Sequence, residues 1–210
     1  MKRIKLITYI FALSLIVLSY GCLNSCTQAR PNYIENICLI FKQYPEWYWD
    51  AQAVQKRWGL PISTLMAIIY QESHFNATAK PPRTKLLWII PWKRPTSAYG
   101  YSQAVDHTWK SYKTANGHTF VSRDAFGDAA DFIGWYAYQA HQRAGISRRN
   151  AYAIYLAYHE GIGGYMRGTY RSKPWLMDVA RNVQRRANVY RSQLLRCQAS
   201  LPKKSWWKMW

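Results

Sequence analysis

The sequence predicts a single all-α domain. Apolar residues recur at helical spacing along much of the chain, and no alternating pattern typical of strands persists anywhere. With 210 residues, of which 49% are hydrophobic, the chain is long and apolar enough to bury one core. No internal repeat is present, so we expect one compact unit of six to eight helices rather than an array.

The first half of the chain predicts four helices. Short helices are expected at residues 33–42 and 46–58. The run ISTLMAIIYQES follows Pro61 and has apolar residues at helical spacing, and proline is tolerated near a helix start. A further short helix is expected at residues 105–115.

Two longer helices are predicted from their start and stop residues. Ser122 is the expected N-cap of a helix that continues through His141 and ends near Gly145. Ser147 is the expected cap of the next helix, which would stop at the glycine-rich turn of residues 161–164.

The last helix is expected from Pro174 to about Arg196. Its candidate core contacts are apolar residues at helical spacing: Leu176, Val179, Val183, Val189 and Leu194. The predicted organisation is therefore N-terminal helices at 26–59, a main domain at 60–196 and a C-terminal tail at 197–210.

Two segments depart from the helical pattern. Residues 80–96, KPPRTKLLWIIPWKRPT, contain four prolines, which exclude a continuous helix and predict an inserted surface loop with an apolar centre. The final residues, LPKKSWWKMW, mix lysine with tryptophan, which suits a lipid headgroup layer or a saccharide face. The alternative for each is a segment with no dedicated role.

The chain is strongly basic, with a formal charge of +19. Such an excess favours nucleic acid, an anionic membrane surface or an acidic cell-wall polymer as the partner. Residues 1–25 resemble a signal peptide, because a short basic start precedes an uncharged run, 6–20, that is short for a membrane span.

Two cysteines follow this run, and both resemble the lipobox of bacterial lipoproteins. Cys26 fits better than Cys22 as the lipidated residue, because Leu23 stands three positions before it. An ordinary cleaved signal or an uncleaved anchor is the alternative. A lipidated chain would lie in the cell envelope. The residue after the cysteine, Thr27, resembles the sorting signal of Gram-negative lipoproteins that go to the outer membrane, so the resemblance implies its periplasmic face. This location disfavours nucleic acid as a partner.

Export also affects the two remaining cysteines. In an oxidising compartment Cys38 and Cys197 are expected to form a disulfide. It would close a loop of about 160 residues and stabilise the fold by roughly 4–5 kcal/mol. Two buried thiols are the alternative. The sequence shows no Cys or His spacing typical of a metal site, and we predict no metal and no cofactor.

Glu72 is one of only four glutamates, and it stands at the end of an apolar helix beside Ser73. By position alone it is either a helix-end residue facing water or an acid retained for chemistry. Two further short motifs follow, YGYSQ at 99–103 and AYHEG at 157–161. In this order the three pieces resemble the soluble lytic transglycosylase (SLT) family of lysozyme-like murein enzymes, over roughly residues 60–190. The family motifs are Glu-Ser, Gly-Leu-Met-Gln and Ala-Tyr-Asn-Ala-Gly.

The resemblance implies a lysozyme-like fold and an enzyme that acts on peptidoglycan glycan strands. The bond cleaved would be that between N-acetylmuramic acid and N-acetylglucosamine, and the product a 1,6-anhydro sugar. One carboxyl group, Glu72, would donate a proton to the leaving oxygen and then act as a base toward the sugar 6-hydroxyl. The apolar residues before Glu72 would raise its pKa by desolvation.

The resemblance also implies substrate contacts from the three motifs: Ser73, Tyr101, Ser102, Gln103, Tyr158 and His159. Tyr101 and Ser102 replace Leu and Met and would make the pocket wall more polar, and His159 replaces Asn. Glu160 stands where the family has Ala. It is either a second carboxylate that activates water, or a structural residue paired with an arginine such as Arg167 or Arg171.

Tyr158 would bond Glu72 or the sugar. The family tyrosine that approaches the glutamate from the last helix has no match at residues 179–183, and Tyr190 is an uncertain substitute. The 80–96 loop lengthens the spacing from Glu72 to Gln103 and is expected to wall the sugar cleft or to touch membrane. The functional alternatives are a lysozyme-type hydrolase on the same fold and a non-catalytic cell-wall binding or envelope-assembly module. The sequence indicates no particular protein partner.

Overall fold

The computed structural model describes residues 28–83, 85–86, 90–91 and 94–204. These residues form one all-α domain, as predicted, and strands among them are limited to a two-residue ladder. The seven α-helices of the described residues are α1 (Ile37–Gln43), α2 (Pro45–Trp58), α3 (Ile62–Ser73), α4 (Asp106–Asn116), α5 (Phe126–Ala144), α6 (Ala151–Arg167) and α7 (Pro174–Cys197). Short 3₁₀ turns follow at Thr169–Ser172 and Gln198–Ser200.

Helix α3 lies at the centre of the domain. Every residue from Ile62 to Ile69 is buried, because α7 packs along it and α2, α5 and α6 also contact it. A helix that is apolar on all sides is stable only when neighbours cover it on all sides. The C-terminal turn of α3, which carries Glu72, is therefore held by most of the fold.

The predicted starts of α5 and α6 are wrong. The Ser122 backbone N–H donates to the Asp128 carboxylate at 2.8 Å, so Ser122 lies in a turn before α5 and does not cap it. Asn150, not Ser147, caps α6, because its side-chain oxygen accepts a hydrogen bond from the Ala153 N–H at 3.0 Å.

The predicted stop of α6 at its glycines is confirmed in part, because the helix is interrupted at Gly161 but helical structure resumes after it. Gly161 leaves the helical conformation, with φ 75° and ψ 153°, and α6 continues beyond it to Arg167. The glycine therefore makes a kink inside the element, and Gly168 ends it in the left-handed conformation.

Helix α7 begins and ends close to the predicted residues. Leu176 and Val183 are buried and Val179 and Leu194 are partly buried, whereas Val189 is 46% exposed and is not a core contact. A disulfide joins Cys38 in α1 to Cys197 at the end of α7, with an S–S distance of 2.08 Å, as expected from the sequence.

The inserted segment contains the ladder, which the sequence did not predict. Strands β1 (Lys85–Leu86) and β2 (Ile90–Pro91) pair antiparallel, and the Arg94 guanidinium closes the base of the segment on the Pro81 carbonyl oxygen at 2.6 Å. The predicted signal peptide, both candidate lipidation cysteines and the tryptophans of the tail lie outside the described residues. In the part of the chain that is described, no helix combines the length and the apolar character needed to cross a membrane.

Candidate active site

Glu72 lies in the last turn of α3, immediately before the chain changes direction. His74 and Phe75 have φ values of 49° and 61°, which side chains rarely adopt. The Phe75 ring is buried with its centroid 5.9 Å from that of Trp47. Because core packing holds this turn, α3 ends at Ser73 and Glu72 is presented at the helix end.

The Glu72 side chain is in a desolvated environment but is not closed off, since the residue is partly exposed. Burial raises the pKa of Glu72 from 4.5 to about 7, because it removes the water that would stabilise the charged form. A hydrogen bond from the Tyr155 side chain opposes this rise in pKa. Near neutral pH the Glu72 carboxyl group can therefore both give up and take back a proton.

Tyr155 is a site residue that motif reasoning missed. It is buried on α6, one turn before Tyr158, and faces Glu72. Burial and the nearby carboxylate raise the pKa of Tyr155, so its hydroxyl stays a neutral donor. It supplies from α6 a phenol group near Glu72, which residues 179–183 of α7 lack. The three-residue spacing between Tyr155 and Tyr158, which places both on one helix face, is the signal that could have found it.

The 99–104 turn forms the second part of the site. Gly100 has φ 75°, and a Cβ atom there would lie 2.0 Å from the Arg123 carbonyl oxygen, so only glycine fits. The Gln103 side-chain nitrogen donates to the carbonyl oxygens of Ala79 at 2.9 Å and Gly100 at 2.8 Å. Gln103 thus holds the turn with its donor group, and among the described residues its side-chain oxygen has no donor bonded to it.

Tyr158 connects the second and third motifs. Its hydroxyl donates to the Ser102 carbonyl oxygen at 2.6 Å and not to Glu72, as one expectation had it. Burial and the Glu72 carboxylate raise the pKa of Tyr158 well above its ordinary value. The three sequence motifs therefore meet at one place, with Glu72 facing α6 and α6 bonded to the 99–104 turn.

Three of the expected substrate contacts are buried. The Tyr101 ring is 0% exposed and lies 5.5 Å and 5.6 Å from the rings of Trp47 and Phe126. Ser102 is also 0% exposed, so Tyr101 and Ser102 belong to the core and do not make a polar pocket wall. The buried Ser73 hydroxyl donates to a carbonyl oxygen one turn earlier in α3, at 3.2 Å.

Glu160 is surrounded by hydrogen-bond donors. Its carboxylate accepts from the Lys173 ammonium at 2.8 and 3.0 Å and from the Thr169 hydroxyl at 2.6 Å, and it contacts the His159 ring at 3.1 Å. The hydrogen bond from Lys173 is the largest of the effects that lower the pKa of Glu160, from 4.5 to about 2. Glu160 is therefore held as a carboxylate by Lys173, not by Arg167 as the sequence suggested.

His159 and Tyr190 complete the predicted set. The exposed His159 ring lies edge-on to the half-exposed Trp175, with the centroids 5.3 Å apart, and forms an open aromatic surface beside the third motif. The Tyr190 hydroxyl bonds the Ile34 carbonyl oxygen in the core and does not approach Glu72. Across the described ranges no three Cys, His, Asp or Glu side chains are grouped so as to hold a metal ion.

Comparison with known proteins agrees with this geometry. Residues 14–197 match the family model described as the transglycosylase SLT domain. The matched range of this chain includes all seven helices and the inserted 80–96 segment. A search of curated proteins finds no match. Because the family match covers most of the chain, the protein belongs to the transglycosylase SLT domain family, a family of peptidoglycan-acting enzymes of the lytic transglycosylase type.

Proposed function

We propose that this chain is a membrane-anchored murein lytic transglycosylase with Glu72 as its only general acid and base. The observation that carries the proposal is the contrast between two carboxyl groups. The pKa of Glu72 is raised to about 7 by burial, while hydrogen bonds lower that of Glu160 to about 2. Of these two carboxyl groups, only Glu72 is suited to exchange a proton near neutral pH.

The proposed reaction consumes no water. Protonated Glu72 gives its proton to the glycosidic oxygen, which leaves with N-acetylglucosamine as its bond to carbon 1 of N-acetylmuramic acid breaks. The Glu72 carboxylate then takes the proton of the muramic acid 6-hydroxyl, whose oxygen bonds carbon 1 and closes the 1,6-anhydro ring. Glu72 ends protonated, ready for another cycle, and a pKa near the working pH suits both transfers.

The surrounding residues support this cycle in distinct ways. The Tyr155 phenol stabilises the Glu72 carboxylate that exists between the two proton transfers. The side-chain oxygen of Gln103 accepts no hydrogen bond from the residues that the structure describes, and it is suited to accept one from a sugar N-acetyl or peptide N–H group. The exposed ring of Trp175 beside His159 offers a face on which a sugar can stack.

A lysozyme-type muramidase on the same fold is the closest alternative. Glycoside hydrolysis usually places a second carboxylate where it can activate water or act as a nucleophile. Glu160 is the candidate, but Lys173 and Thr169 occupy its acceptor oxygens. We therefore favour ring closure by the sugar over attack by water. A non-catalytic wall-binding module would not require a carboxyl group with a pKa near 7.

The proposal includes attachment to the envelope by a lipid on Cys26, or alternatively on Cys22, at the periplasmic face of the outer membrane. The basic composition, with a formal charge of +19, suits an anionic glycan that bears acidic peptides.

The test is to digest purified sacculi with the whole chain in nonionic detergent and to identify the sugar ends by mass spectrometry. We expect anhydro-muramyl ends from the wild type and from the matched control Glu160→Gln, and none from Glu72→Gln. Reducing ends that disappear in Glu160→Gln would instead identify a hydrolase. No release by the folded wild type would contradict the enzymatic proposal.

A further inference from the structure

A groove lies at the opposite end of α3 from Glu72. It has a volume of about 420 Å³ and is formed by the start of α3, the loop that precedes it and the outer side of α7. With a rise of 1.5 Å per residue, the first turn of α3 is about 12–15 Å from Glu72 along the helix axis. None of the groove residues belongs to the candidate active site, so the groove is a separate feature.

The groove is positively charged. Arg149, just before α6, and Arg191, on α7, both line it, and both are exposed. No lining residue is acidic. In the described part of the chain the arginines with carboxylate partners are others: Arg57, Arg123, Arg181 and Arg186. Two guanidinium groups that share one concave space without a carboxylate will attract an anion, and their planar donors suit phosphate.

The floor of the groove presents two hydroxyl groups. Ser63 and Thr64 line the groove and are only 6% and 2% exposed. Neither hydroxyl donates a hydrogen bond to any other residue that the structure describes. Both belong to the first turn of α3. There the Ile62 N–H donates to the Gln55 side-chain oxygen at 3.1 Å, and the Thr64 and Leu65 N–H groups donate to the Pro61 carbonyl oxygen at 3.0 Å. The positive end of the helix dipole still favours negative charge at this turn.

The remaining walls suit a headgroup larger than a simple ion. Four amide side chains also line the groove: Gln55, Gln184, Asn188 and Gln198. Gln184 is engaged within the fold, because its oxygen accepts from the Tyr152 N–H at 3.2 Å and its nitrogen donates to the Asn188 side-chain oxygen at 3.0 Å. The amide nitrogens of Gln55 and Asn188 and the Gln198 side chain can bond hydroxyl groups. At one rim Leu195 is 63% exposed, and it lies at the end of α7, from which the described chain continues to Lys203 and Lys204. A cationic centre, an amide wall and an apolar rim together match a phosphodiester, a polyol and the start of an acyl chain.

We propose that this groove binds the phosphate of an anionic lipid headgroup, with Arg149 and Arg191 as the phosphate ligands and Ser63 and Thr64 as additional donors. The site would hold the domain against a lipid surface by a contact that does not involve the N-terminal cysteines. It is also independent of the chemistry proposed for Glu72, so either proposal can fail without the other.

The test uses the whole chain in nonionic detergent and measures binding by isothermal titration calorimetry. The three probes are dihexanoylphosphatidylglycerol below its micelle concentration, dihexanoylphosphatidylcholine and inorganic phosphate. The test variant is Arg149→Gln/Arg191→Gln. The matched control is Arg143→Gln/Arg167→Gln, which removes two exposed arginines outside the groove. Near-ultraviolet circular dichroism verifies that each variant is folded, and Arg149→Lys/Arg191→Lys provides a second variant that keeps the charge.

We expect the wild type and the control to bind the phosphatidylglycerol, and the test variant to bind it at least about tenfold more weakly, because charge-assisted hydrogen bonds are lost. The lysine variant should fall between them. Phosphatidylcholine should bind more weakly, because its choline cation meets the arginines. Equal affinity of the wild type and the test variant, or no binding by the wild type, would overturn the site. Inorganic phosphate that binds as tightly as the lipid would overturn the lipid as its ligand.

Discussion

Glu72 faces α6 and Glu160 lies on α6, and the surroundings of the two carboxyl groups are opposite. Glu72 is partly exposed at a helix end, where burial raises its pKa and one phenol faces it. Glu160 has a side chain that is 5% exposed, yet Lys173 and Thr169 bond it so well that its pKa falls to about 2. Burial alone therefore does not decide the charge of a carboxyl group; the donors that accompany burial do.

The comparison also explains why an acid next to a catalytic motif can be structural. Glu160 sits immediately before the Gly161 kink, and its bonds to Thr169 and Lys173 join α6 to the segment before α7. An ionised carboxylate whose oxygens are all hydrogen-bonded holds neighbouring segments together well, but it has no proton to donate. Glu72 can exchange a proton near neutral pH, but its desolvated carboxylate lowers the stability of the fold by an amount that can be measured.

The largest expected effect separates the two glutamates by activity. Glu72→Gln should lower the rate of anhydro-sugar release by about 10²–10⁴-fold, the usual contribution of a general acid and base. Glu160→Gln should leave the rate within about threefold of wild type, because its carboxylate takes no part in proton transfer. Quantified release from sacculi is the measurement, and similar losses in both variants would break the distinction.

The second effect is on stability and has a pH dependence of defined sign. A carboxyl group whose folded pKa is raised binds its proton more tightly when folded, so its contribution is lost as pH rises from about 4.5 to about 7. Glu72→Gln removes this loss and should be more stable than wild type at pH 8, by up to about 3 kcal/mol. Denaturant unfolding at pH 4 and pH 8 measures it. No difference between the proteins at pH 8 would contradict the raised pKa.

The third effect concerns the phenol beside Glu72. Tyr155→Phe removes a donor that stabilises the carboxylate, so the pKa of Glu72 should rise further and the alkaline limb of the rate profile should move to higher pH. We expect the maximal rate to fall by about tenfold, the equivalent of one hydrogen bond to a charged group. The matched control is Tyr152→Phe, a partly exposed tyrosine one turn earlier on α6. A fall in rate without a displaced pH profile would indicate a purely structural role for Tyr155.

The smallest effect is on the stability that the hydrogen bonds of Glu160 provide. Its folded pKa is depressed, so its stabilisation is present above the ordinary pKa of 4.5 and is lost as pH falls toward about 2. Glu160→Gln should unfold with about 1 kcal/mol less free energy at pH 7, a modest value because the Lys173 side chain is 40% exposed and can turn to water. The difference from wild type should shrink at pH 2 to 3. A deficit that is constant from pH 7 to pH 2 would show that the ion pair does not cause it.

The helices themselves follow from the sequence, because their apolar spacing is unambiguous in runs such as 62–69. Their ends do not follow as reliably. Ser122, Ser147 and Asn150 are all competent N-caps by residue type, and tertiary contacts decide which of them is used. Gly161 likewise predicts a departure from helical geometry but not whether the chain ends its helix there or bends and continues.

The sequence predicts a site residue only where a motif identifies it, and it does not predict contacts that depend on distant parts of the chain. Glu72 as the candidate acid follows from the motif order. The choice of Lys173 as the partner of Glu160 depends on how the 3₁₀ turn at Thr169–Ser172 returns the chain, which no local pattern encodes. The burial of Tyr101 depends on contacts with Trp47 and Phe126, far away in sequence.

The most direct test of the central contrast is a carboxyl ¹³C NMR titration of the whole chain labelled at glutamate. Only four glutamates are present, so the resonances of Glu72 and Glu160 can be assigned by comparison with Glu72→Gln and Glu160→Gln. We predict that Glu72 titrates with a pKa near 7 and that Glu160 remains ionised down to a pKa of about 2. A Glu72 resonance that titrates at about its ordinary pKa of 4.5 would contradict the account.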